Sequence, residues 1–176
     1  SSSYDHVVPR FEENGAFVKV IAWVAADIRA ALKAQPPTIV FLALGTTRAR
    51  SQVDGQGYQT VDYGYTKMVI DCILADHPTC KLVYISAIPG GSSAYFKVRT
   101  AIEKLLVESG RPQLIARPSL IIGDRLDRRP WERRAAWLMD GCLSCLRTIG
   151  LGSVSDRFTS MTGDQLGAGV VQLCLE

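Results

Sequence analysis

Three apolar runs, each released into a turn and separated by amphipathic stretches, constrain this chain more than any other feature. Thr38–Leu44 (TIVFLAL) is almost wholly apolar, the pattern of a strand covered on both faces, and it ends in Gly45-Thr46-Thr47-Arg48. A polar, glycine-rich loop runs to about Gln59. From there the apolar positions Val61, Tyr65, Met68, Val69, Cys72 and Ile73 recur at three and four residues, which predicts a helix over 61–75, ended by Pro78. The pattern then repeats: Lys81–Ala87 (KLVYISA) reads as a strand, Pro89-Gly90-Gly91 as a loop, and Ser93–Glu108 as a helix closed by Gly110. Gln113–Ile122 (QLIARPSLII) reads as a further strand. Connections this long between such strands require crossovers, hence parallel pairing with right-handed topology.

Upstream, the β-branched and aromatic run Phe17–Trp23 (FVKVIAW) predicts a strand, and Asp27–Ala34 a helix before Pro36-Pro37. Beyond Gly123 the alternation stops: Pro130–Arg147 reads as helix, Gly150–Phe158 as a turn or short strand, and Gly163-Asp164 opens a last helix. The order predicts the α/β class, with a Rossmann-type doubly wound parallel sheet in one domain over 1–176 and a helical part from about residue 124. Thr38–Leu44, Lys81–Ala87 and Gln113–Ser119 should be neighbouring parallel strands.

Composition narrows the function classes. With 47% hydrophobic and 21% charged residues the chain can bury a core, which excludes intrinsic disorder. Twenty Lys+Arg against 17 Asp+Glu leave a net charge of +3, too small a surplus to argue for nucleic acid. No apolar run reaches the roughly 18 residues of a membrane span. Cys72, Cys80, Cys142, Cys145 and Cys174 are irregularly spaced, which points to a reducing, intracellular compartment rather than a disulfide framework. Cys142-x-x-Cys145 lacks a second pair or a nearby histidine and reads as packed thiols; His6 and His77 supply no ligand set, so no metal is expected. Arg125, Arg128, Arg129, Arg133 and Arg134 are interleaved with Asp124, Asp127 and Glu132 and read as a solvated face.

In open parallel sheets ligands bind beyond the carboxyl ends of the strands. The residues to watch are therefore Gly45, Thr46, Thr47 and Arg48, then Ser86-Ala87, then Pro118, Ser119 and Leu120. Gly45 would let a ligand approach the backbone, the threonines offer hydroxyls, and Arg48 could meet a phosphate; an ordinary strand-to-loop turn is the competing reading.

The segments LALGTTRARSQVDGQGYQTVDYGYTKMVIDC, KLVYISA, AYFKVRTAIEKLL and ARPSLIIGDRLDRRPWE together resemble the atypical short-chain dehydrogenase/reductase family, in the branch of the Tat-interactive oxidoreductase-like proteins and fungal mitochondrial relatives. The resemblance covers roughly Thr38 to Glu132 and is most specific in the LGTTR turn and the RPS…GDR…RP order. It implies an NADP(H)-dependent oxidoreductase, NAD being the other option, acting on a small carbonyl or alcohol in the cytoplasm or mitochondrion. The family's Tyr-x-x-x-Lys pair falls on Tyr95 and Arg99, and its serine on Ser86, followed here by Ala87. Arginine keeps the positive charge but not the ammonium geometry. The alternative is therefore a catalytically impaired, structural or regulatory subunit of a larger protein assembly. The family's glycine-rich opening turn has no counterpart before Phe17, so the chain is expected to be a fragment, or to have its N-terminal segment supplied from elsewhere in an assembly.

Overall fold

The computed structural model describes residues 8–46, 52, 55–88, 92–118, 121–122 and 161–176. In chain order the elements are α1 (Val8–Glu13), α2 (Ala25–Ala34), β1 (Ile39–Leu42), a π-helical segment (Gln59–Tyr65) running into α3 (Thr66–Asp76), β2 (Lys81–Ile85), α4 (Ala94–Glu108), β3 (Gln113–Ala116), β4 (Ile121–Ile122), β5 (Met161–Thr162) and α5 (Gly163–Leu175). The strands β1, β2 and β3 form one parallel sheet in that order. Ile39 lies beside Lys81 and Leu42 beside Tyr84; Leu82 lies beside Gln113 and Ile85 beside Ala116. The three strands thus end on one edge, where the sequence places its candidate site.

Both faces of β2 are covered, which is why KLVYI lacks a polar alternation. Leu82 and Tyr84 join Leu42, Ile70, Ile73, Cys80, Ile102 and Leu106 on the face packed by α3 and α4. Val83 points the other way and meets Val170 and Cys174 of α5. Fully burying side chains of this size contributes about 1.5–3 kcal/mol each. The doubly wound α/β reading therefore holds, with helices on both faces of a parallel sheet.

Polar groups at the helix ends are tied down. Thr162 and Gln165 form a capping box at the start of α5, and Lys81 Nζ donates at its other end to the carbonyls of Leu173 (3.5 Å) and Cys174 (3.2 Å). Arg111 donates to the carbonyls of Leu74 and Pro78, at the end of α3 and just beyond. Gly110, closing α4, has φ +64°, a conformation that glycine adopts without a Cβ penalty. Among the described residues no helix is long and apolar enough to cross a membrane.

Several expectations are corrected. Phe17–Trp23 forms no strand; Phe17 and Val20 are exposed, and β-propensity without a sheet edge to join does not make a strand. The run Gln113–Ile122 is split: β3 stops at Ala116, Arg117 turns out to Glu103, Pro118 cannot donate to a ladder, and β4 pairs in parallel with β5 in a second sheet. The predicted helix over 61–75 exists and buries Cys72 and Ile73 as expected, but the rest of its inward stripe is Asp62, Thr66 and Ile70, while Val61, Tyr65, Met68 and Val69 are half-buried. The segment opens with a π-helical turn, in which the Tyr63 N–H bonds to Tyr58 O. The short helix α1 was not anticipated from the sequence. The predicted elements Pro130–Arg147 and Gly150–Phe158, with Cys142, Cys145 and the arginine run, lie outside the described residues.

Candidate functional site

At the carboxyl edge of the sheet, the chain leaves β1 through Gly45 and Thr46 and leaves β2 through Ser86, while α4 begins opposite with Tyr95 and Arg99 in its first two turns. Residues 95 and 99 are one helical turn apart, so both side chains lie on one face of α4.

Arg99 is bonded on both arms. Its Nη1 donates to the Ile85 carbonyl (2.6 Å) and the Tyr84 hydroxyl (3.2 Å), and its Nη2 to Asp62 Oδ1 (3.2 Å). The other Asp62 oxygen accepts from the Thr46 amide at 2.9 Å. The guanidinium carbon lies 5.1 Å from the Tyr95 ring centroid and 5.5 Å from that of Tyr84, both cation–π distances. Tyr58 and Phe96 meet the Tyr95 ring edge to face, with centroids 5.6 and 5.2 Å away. Arg99 Nε is buried without a hydrogen-bond partner among the described residues.

Electrostatics follow from burial. Asp62 is only 1% exposed, and burial pushes its carboxyl above the usual carboxylate range; the Thr46 amide and the Arg99 charge pull it back only in part. Burial likewise raises the Tyr84 phenol, against the pull of Arg99. A second pair lies one turn further along α4. Glu103 receives the Arg117 fork from Nε (3.0 and 3.2 Å) and Nη2 (2.7 Å). Burial works against the Glu103 charge, but Arg117 and the nearby Ser86 hydroxyl outweigh it and hold the carboxyl below its ordinary range. Ser86 is 4% exposed, and its Oγ makes no hydrogen bond of regular geometry among the described residues.

Of the residues singled out from sequence, the structure brings Thr46, Tyr95 and Arg99 into one cluster and sets Ser86 directly after the carbonyl that holds Arg99. Gly45 belongs to it for a reason other than ligand approach: a Cβ there would lie 3.0 Å from Arg99 Nη2 and 3.3 Å from Asp62 Oδ1, so the ion pair uses the space. Pro118 is buried two residues past β3. Thr47, Arg48, Ser119 and Leu120 lie outside the described residues. Sequence reasoning missed Asp62, Tyr84 and Tyr58. The signal for Asp62 was present: it stands four, eight and eleven residues before Thr66, Ile70 and Ile73, a carboxylate in line with a core stripe.

No family model matches the chain, and no curated protein does. Among solved structures it is similar to an oxidoreductase of the short chain dehydrogenase/reductase family from Burkholderia thailandensis, at 13% identity and a TM-score of 0.49, over 98% of this chain and 84% of that one.

Proposed function

We propose that the protein is a nicotinamide-dinucleotide-linked oxidoreductase of the short-chain dehydrogenase/reductase type, acting on a small carbonyl or alcohol, with NADP(H) the first candidate cofactor. The observation that carries this reading is the Tyr95 ring lying 5.1 Å from the Arg99 guanidinium at the carboxyl edge of a parallel sheet. A phenol beside a fixed cation can give up a proton to a developing alkoxide and carry the resulting charge. It agrees with the sequence resemblance, which puts a tyrosine and a cationic residue at these two positions.

The donor set fits such a cofactor at the reacting end. Tyr95 makes no hydrogen bond through its hydroxyl among the described residues, and the Ser86 hydroxyl lies beside the Glu103 carboxylate at the end of β2. The phosphate end is not assembled from the described residues, because the Thr46 amide is already taken by Asp62; Arg48 is the residue proposed for it. When bound, the cofactor would supply the hydride. The chain's part is narrower: Tyr95 moves the proton, Arg99 holds positive charge beneath its ring, and Ser86 orients the carbonyl oxygen.

A second reading has its own support. Both arms of Arg99 are occupied by Asp62, Tyr84 and Ile85, so its fork is not free to hold a ribose as the family's lysine does. That favours a catalytically impaired subunit that keeps the fold for assembly. Purification of the native protein with a NADPH-oxidation assay across a carbonyl panel separates the two. Turnover supports the enzyme; a stoichiometric partner without turnover supports the subunit.

A further inference from the structure

The residue that ties this site together is one to which the resemblance assigned no role. Asp62 comes from the π-helical segment ahead of α3, and its two carboxylate oxygens are divided between two other elements: Oδ2 takes the Thr46 amide just past β1, and Oδ1 takes Arg99 of α4. It is buried, so the pairing is not diluted by water. Gly45 is part of the same construction, since any side chain there would press on Arg99 Nη2 and Asp62 Oδ1 together.

We infer that Asp62 is a positioning residue for the Tyr95–Arg99 pair. It accepts from the β1 turn on one oxygen and from the guanidinium on the other, and thereby holds the cation against the Tyr95 ring. Arg99 has other partners in Ile85 and Tyr84, but those lie on β2 and fix only Nη1. Nη2, on the other arm of the fork, is anchored by Asp62 alone among the described residues. A planar group held on one arm can swing; held on both, it cannot. The consequence for catalysis rests on the reading proposed above, whereas the placement of Arg99 does not.

The test uses the intact protein and Asp62→Asn, which keeps the shape but cannot accept fully from both Thr46 and Arg99. Tyrosine acetylation by N-acetylimidazole at neutral pH, located by peptide mass spectrometry, reads the reactivity of Tyr95 directly, with the exposure of Tyr63 and Tyr65 as internal references. With Nη2 released and Nη1 still held by Ile85 and Tyr84, the guanidinium should swing from the ring and slow Tyr95 labelling roughly three- to tenfold, the scale on which moving one unit charge near a half-buried group acts. Gly45→Ala should slow it in the same direction by pushing Nη2 aside, and it decides the matter if Asp62→Asn shows no folded melting transition. Unchanged or faster Tyr95 labelling in the folded variants overturns the inference. A wild-type protein that oxidises no NADPH, with labelling slowed in the variants, retires the proposed reaction and supports the positioning role.

Discussion

The Arg99 guanidinium lies 5.1 Å from the centroid of the Tyr95 ring, one helical turn earlier on α4. Two elements besides α4 supply the partners that keep it there, the π-helical segment through Asp62 and β2 through Tyr84 and Ile85, and Asp62 in turn accepts from the Thr46 amide in the turn past β1.

Arg99→Lys should not improve the site, although lysine is what the resembling family carries. An ammonium presents its donors from one point and cannot reach Asp62, the Tyr84 hydroxyl and the Ile85 carbonyl together, so the substitution should cost about 1–3 kcal/mol of stability. Urea denaturation measures this. An unchanged midpoint would mean the fork geometry is not used.

Tyr84→Phe removes a buried hydroxyl that accepts from Arg99 at 3.2 Å while leaving the ring in the core. The expected loss is about 1 kcal/mol, since Nη1 retains the Ile85 carbonyl. Leu106→Ala, in the same fully buried cluster, should cost more, about 2–5 kcal/mol, because it leaves a cavity. Thermal and urea unfolding of the two side by side check the order.

The two carboxylates of the site should move stability with pH in opposite senses. The folded Glu103 carboxyl is depressed by Arg117, so its contribution is present above the ordinary glutamate range and is lost as pH falls through that range to the depressed value. The folded Asp62 carboxyl is raised by burial, so its contribution falls as pH rises from the ordinary aspartate range to the raised value, and is level above it. Glu103→Gln should therefore flatten the acid limb of the stability curve while costing up to about 1 kcal/mol at neutral pH, Arg117 being half exposed. Asp62→Asn should steepen that limb. Urea midpoints measured across the acid range read both.

How much of this could be read from the chain differs by element. The parallel trio β1, β2 and β3 was legible in near-continuous apolar runs such as TIVFLAL and KLVYI, but the double-sided burial expected of both runs holds only for β2, since Phe41 of β1 is exposed. Phe17–Trp23 misled for the converse reason: a strand needs an edge to pair with, and a local run of β-branched residues carries no information about one. Tyr95 and Arg99 were marked by the resemblance, and their spacing of four on a helix sets both side chains on one face. Asp62 was not recognised because the inward face was drawn through apolar residues only, whereas the carboxylate stands at helical spacing with the buried Thr66, Ile70 and Ile73. Gly45 was singled out for close approach of a ligand, whereas the room left by its missing side chain is taken by a long-range contact with α4, which no local pattern encodes.

The central claim, that Tyr95 acts as a proton donor in a nicotinamide-linked reaction, is tested most directly by NADPH oxidation with a panel of small carbonyls, comparing the native protein with Tyr95→Phe. The account predicts turnover by the native protein and a loss of at least about 100-fold in kcat for the variant, the lower end of what general acid catalysis contributes, with NADPH affinity by calorimetry little changed. A native protein that turns over none of the panel, or a Tyr95→Phe variant as fast as the native one, would contradict it.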